Sequence, residues 1–183
     1  MSDWENLASF LASLDDEDLA RFSAHAALDL SEGSVEGILR TLRAHDADAG
    51  GGASPSSLLA TTSAQVGAAG DGEFAITLGR AALDLADTPE DLGLAHVCLA
   101  QTHFRNRSDA EELERFVEHC RAAVSAGHAG TFCYERLAVL YEYRGETAEA
   151  AEVCRRAVEV LGTAGDDRSA ARFRKRLERL SRG

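Results

Sequence analysis

Residues 132–161 read FCYERLAVLYEYRGETAEAAEVCRRAVEVL. Tyr134, Leu137, Ala138 and Tyr141 recur three and four residues apart, which puts them on one face of a helix. Gly145 interrupts that helix, because a glycine easily takes the left-handed backbone that closes one. Ala150, Ala157 and Val158 then give a second helix its own buried face. Ala138 and Ala157 are small where two helices approach closely, and Tyr134 and Tyr141 fill the space beside them. The stretch therefore predicts an antiparallel helix pair, 132–143 and 147–161.

Two earlier segments repeat parts of this pattern. Gly70, Ala75, Ala82, Leu83 and Leu85 occupy corresponding places in GDGEFAITLGRAALDL, residues 70–85. Cys120 and Ala123 stand 34 positions before Cys154 and Ala157. The helix preceding Cys120 aligns after a four-residue shift, which sets Leu99 and Ala100 against Leu137 and Ala138. His96 and His103 then replace Tyr134 and Tyr141, and the loop through 107–111 is longer by about one helical turn.

With these residues in view, 56–161 resembles a tetratricopeptide-repeat array, built from helix–turn–helix units of about 34 residues. The resemblance implies an all-α fold of about three stacked hairpins closed by a capping helix. It also implies a concave surface lined by the first helix of each pair, holding a peptide or a partner's helix. By position, that surface takes Leu94, Val97, Gln101, Phe104 and Arg105 from the middle unit. The last unit offers Phe132, Glu135, Val139, Glu142 and Tyr143, and the first would offer Ser57, Ala60 and Ala64. Lysine is missing from the places where one subclass of the family grips a C-terminal carboxylate, so no such clamp is expected. An apolar, mildly acidic trough of this kind suits a segment with apolar anchors and some basic charge.

The rest of the chain also reads as helix. Trp4, Leu7, Leu11 and Leu14 follow a Ser2–Glu5 capping box. Acidic residues 15–18 open a second helix, and Ser31 or Ser34 caps a third bearing Val35, Ile38, Leu39 and Leu42. ADAGGGASPSS, residues 47–57, reads as a flexible linker. Further helix starts fall at Ser54–Pro55, at Thr88–Pro89 and at a Ser108–Glu111 capping box. Ala170, Phe173, Leu177 and Leu180 give the last helix one apolar face. The expected organisation is a three-helix segment (1–46), a linker (47–57), repeats (58–165) and a capping helix (166–183).

Composition sets the function classes. The formal charge is −12, yet residues 166–183 hold seven basic against three acidic side chains, a net +4 that leaves −16 elsewhere. Such an acidic body disfavours nucleic acid. No apolar run is long enough for a membrane span, and the N-terminus has acids where an export signal carries Lys or Arg, so the expected location is cytoplasmic. Cys98, Cys120, Cys133 and Cys154 are expected to be reduced, buried thiols.

No phosphate loop, dinucleotide fingerprint or nucleophile elbow occurs, so no catalysis and no cofactor is expected. His96, His103, His119, Cys98 and Cys120 lack zinc-ligand spacing, so no metal is expected either. The function these observations favour is a protein–protein interaction module whose partner is a protein or peptide. Two alternatives remain open. Residues 26–43 look like the turn and second helix of a helix-turn-helix regulator, although residues 1–50 hold eleven acids against Arg21, Arg40 and Arg43. Size, acidity and repeat number also suit a secretion-type chaperone. The N-terminal helices are a candidate surface for homo-oligomers.

Overall fold

The cap residues that the sequence offers decide where most helices begin. The computed structural model describes residues 3–182 and within them ten helices and no strand. They are α1 (Asp3–Ala12), α2 (Asp16–Ala26), α3 (Val35–Asp48), α4 (Pro55–Ala68) and α5 (Gly72–Asp84), then α6 (Pro89–Arg105), α7 (Ala110–Ser125), α8 (Phe132–Arg144), α9 (Thr147–Thr163) and α10 (Asp167–Leu180). The protein is all-α. Asp15 caps α2, Ser34 caps α3, and Thr88 caps α6 with Pro89 in its first turn. Ahead of α4, the Ser57 amide donates to Ser54 Oγ while the Ser54 amide donates to Ser57 Oγ.

The cap of α7 differs from expectation. Asp109, not Ser108, holds the position, and one carboxylate oxygen accepts the amides of Glu111 and Glu112 at 2.9 and 3.1 Å. A full negative charge at a helix N-terminus outcompetes the neighbouring hydroxyl. Ser2 lies outside the described residues, so its capping box with Glu5 is not described.

Consecutive helices α4/α5, α6/α7 and α8/α9 pack as hairpins, and α10 packs on α9. Gly145 closes α8 at φ 75° as expected, and Gly70, Gly127 and Gly165 also take positive φ after α4, α7 and α9. α6 is held on several sides, by α4, α5 and α7. Gly79 lets α5 approach α6, since a Cβ there would run into the Leu99 side chain.

Two apolar clusters fill the molecule. One joins Leu7, Leu11, Phe22, Ile38 and Leu42 of α1–α3 to Leu59, Phe74, Leu78 and Ala95 of α4–α6. Residues on both sides of 47–57 therefore share a core, and the turn itself is confined to residues 49–54. The other cluster joins Phe116, Tyr134, Leu137, Leu161 and Phe173 across α7–α10. Ala138 and Ala157 are fully buried, as a close approach of helices requires. Each fully buried Leu or Phe contributes about 1.5–3 kcal/mol, which is why short hairpins of this kind depend on their neighbours. Among the described residues no helix is long and apolar enough to cross a membrane.

Candidate partner-binding surface

The outward face of α8 follows from its spacing. Phe132, Arg136, Val139 and Tyr143 stand four, three and four residues apart, so they form one stripe along the helix. Tyr143 is 89% exposed and Val139 49%, on a helix whose opposite face buries Tyr134, Leu137, Ala138 and Tyr141. Phe132 sits at the foot of the stripe, half-buried and edge-on to Phe104 of α6 at 5.9 Å. Phe104 in turn tilts against the buried Phe116 of α7 at 4.9 Å.

Cations cover the Phe104 ring. The guanidinium of Arg107 lies 4.5 Å and that of Arg136 4.9 Å from its centroid. Contacts of this type contribute about 0.5–1 kcal/mol each at exposed sites, and here they also mark one flank of the stripe as basic. Neither arginine stood out in the sequence, because a cation–π contact between elements leaves no spacing signal.

The other flank is set by α10. Glu135 and Glu142 lie on the side of α8 that turns toward it. Arg172 reaches Glu135 at 2.9 Å, and Arg176 and Arg179 both donate to Glu142, the latter at 2.7 Å. A cleft of about 410 Å³ lies between these helices, lined by Glu135, Arg172, Phe173, Lys175, Arg176 and Arg179. The acids expected to make the trough mildly acidic are thus already matched by arginines. What remains is apolar and basic.

Four of the ten expected residues, Phe104, Phe132, Val139 and Tyr143, come together on this face, and Glu135 and Glu142 edge it. Val97 does not contribute, being 7% exposed in the core it shares with Phe116, Tyr134 and Phe173. Leu94 packs instead on the core shared with α1–α3. Gln101 is half-buried, and Arg105 directs its guanidinium toward Gly67 of α4. Ala60 is fully buried and Ala64 packs into the same N-terminal core, so α4 offers no open face there.

The histidines gather into a stack at the α6/α7 contact. His96 Nδ1 is 3.0 Å from His119 Nδ1, and the His103 ring lies parallel to that of His119 with centroids 5.4 Å apart. Glu112 Oε2 is 2.8 Å from His103 Nδ1. Burial, then the charges of His96, His103 and Arg80, push His119 down to about 4, and burial also lowers His96. At neutral pH His96 and His119 are therefore uncharged, and their short contact needs a proton on only one of the two Nδ1 atoms. Among the described residues, no group of three or more His, Cys, Asp or Glu is placed to hold a metal ion.

All four cysteines are free and buried. Burial raises Cys98 to about 12 and also raises Cys120, which Cys133 raises further. Thiols so far from ionisation are poor nucleophiles.

The N-terminal helices carry little that would suit DNA. α3 packs on α1, and residues 27–34 between α2 and α3 exceed the three or four of a helix-turn-helix corner. Arg21 pairs with Asp18 and Asp71, Arg40 with Glu32 at 3.2 Å, and Arg43 with Glu5 at 3.5 Å. Comparison with protein-family models, with curated proteins and with solved structures finds no match to this chain.

Proposed function

We propose that the protein is a non-catalytic, cytoplasmic interaction module of the tetratricopeptide type. It holds a peptide or a partner's helix along the outward face of α8, between α6 and α10. The observation that carries this reading is the exposure of Val139 and Tyr143, 49% and 89%, one turn apart on a helix that is otherwise well packed. A lone exposed apolar side chain means little, but here the two share a helix face with the half-buried Phe132, and the Arg136 guanidinium lies over Phe132 and Phe104 at its lower end. Covering such a stripe gains about 25 cal/mol for each Å² removed from water, and arginines around its edge supply direction. The pairing of α4/α5, α6/α7 and α8/α9 supports the repeat reading, as does the match between Cys120 and Cys154, both fully buried 34 residues apart. A non-catalytic role is favoured by thiols that burial holds away from ionisation.

The double variant Val139→Ser/Tyr143→Ser tests the proposal. Both side chains are exposed, so the helical circular dichroism and melting of the full chain should barely change. Peptides selected from a displayed random library on the wild-type protein should bind the double variant at least about tenfold more weakly. Equal affinities for wild type and variant across the selected peptides would contradict a docking role for this face.

A further inference from the structure

Charge is distributed unevenly across the proposed docking face. On α10, Arg168, Arg172, Lys175, Arg176 and Arg179 recur three and four residues apart and so share one side of the helix. From α8 only Glu135 and Glu142 answer them. Arg172 and Arg179 remain 65% and 66% exposed even while paired, and Lys175 is exposed with no ion pair among the described residues. Across the stripe, the guanidinium groups of Arg107 and Arg136 sit above Phe104. Val139 and Tyr143 therefore share their face with Arg136 and have the basic side of α10 along one edge.

We infer that the occupant of this face is an acidic peptide segment with an apolar anchor. Its carboxylates lie against α10 and its anchor lies against Val139 and Tyr143. The inference rests on the docking role proposed for the face and specifies the chemistry of the partner. Guanidinium groups suit carboxylates because their planar forks donate two parallel hydrogen bonds. Arg176 and Arg179 converge on the carboxylate of Glu142, which leaves Lys175 and the exposed side of Arg172 to meet a partner's carboxylates. A nucleic acid fits less well. The basic face is one helix long, about 20 Å, and a longer polyanion would run onto a body that carries −16 outside residues 166–183.

Three fluorescein-labelled probes test this on the full chain by anisotropy: a peptide of repeated Glu-Leu-Glu-Glu units, the same peptide with Lys for every Glu, and oligothymidylate. The Glu peptide is expected to bind, and the Lys peptide to bind at least about tenfold more weakly. Raising NaCl to about 0.5 M should remove most of the difference. Arg172→Glu/Lys175→Glu should weaken the Glu peptide at least about tenfold, and the milder Arg172→Gln/Lys175→Gln about threefold, with helical melting unchanged in the latter. The inference is overturned if the Glu peptide fails to bind, if the Lys peptide or oligothymidylate binds as tightly, or if neither charge variant has an effect. It is also overturned if sedimentation of the protein alone shows a dimer that Arg172→Gln/Lys175→Gln dissolves, since the occupant would then be a second copy. If the charge variants are silent while Val139→Ser/Tyr143→Ser still releases the library-selected peptides, the acidic partner is wrong and the docking face stands. If both sets are silent, both fall.

Discussion

Phe116→Ala is expected to lower unfolding free energy by about 3–5 kcal/mol and to weaken peptide binding, although Phe116 is only 1% exposed. The ring is central to the α6–α8 region. It tilts on Phe104 at 4.9 Å and stands edge-on to Phe132 at 6.4 Å, and those two rings form the lower end of the docking stripe. Truncation leaves a cavity beneath both, and a rigid helical neighbourhood collapses into it only in part. Phe104 and Phe132 then lose the surface that sets their tilt, along with the ordered seat for Arg107 and Arg136. Urea unfolding followed by circular dichroism measures the first effect, and anisotropy with a library-selected peptide measures the second. A loss under about 1 kcal/mol would mean that Phe116 is not packed as described.

Acid should destabilise the protein before its carboxylates titrate. His119 is held down to about 4, and His96 and His128 are also lowered by burial. An unfolded chain binds protons at these rings near pH 6.5, where the folded chain does not. Their stabilisation is therefore complete above about pH 6.5 and is lost progressively as pH falls toward about 4. For His119 alone, a fully shielded ring would lose about 2 kcal/mol between pH 7 and pH 5, and partial solvent access reduces this to about 1 kcal/mol. His96 and His128, also lowered by burial, add to the loss in the same direction. The charged groups that bear on His119 are His96, His103 and Arg80, all of which oppose a new positive charge on that ring. His119→Gln, which does not titrate, should flatten the dependence of unfolding free energy on pH between 7 and 5. An unchanged slope in that variant would show that the stack is not the source.

The helices could be read from the sequence because their signals are local. The 3.6-residue period, the caps at Ser34, Ser54 and Thr88, and the left-handed Gly145 each depend on residues within one or two turns. At the start of α7 the capping-box spacing pointed to Ser108, whereas the adjacent Asp109 holds the cap. The outward stripe of α8 was legible for the same reason as its buried face. Its charge was not. Glu135 and Glu142 look like free acids until α10 folds back, and their partners lie 34 to 37 residues away in sequence. Val97 looked surface-facing because position in a repeat says nothing about how tightly the next unit closes, and here it is buried. His96, His103 and His119 invited a metal reading from residue type alone. Only the close α6/α7 contact shows that they stack on one another, with Glu112 beside His103.

The most direct measurement is the pattern of NMR chemical-shift change when the tightest library-selected peptide is titrated into the full chain. The largest changes are expected on Val139, Tyr143 and the Arg136 side chain, extending to Phe104 and Phe132 on one side and to Arg172 and Lys175 on the other, with α1–α3 unmoved. Changes centred on α2 and α3, with Val139 and Tyr143 silent, would contradict docking on α8.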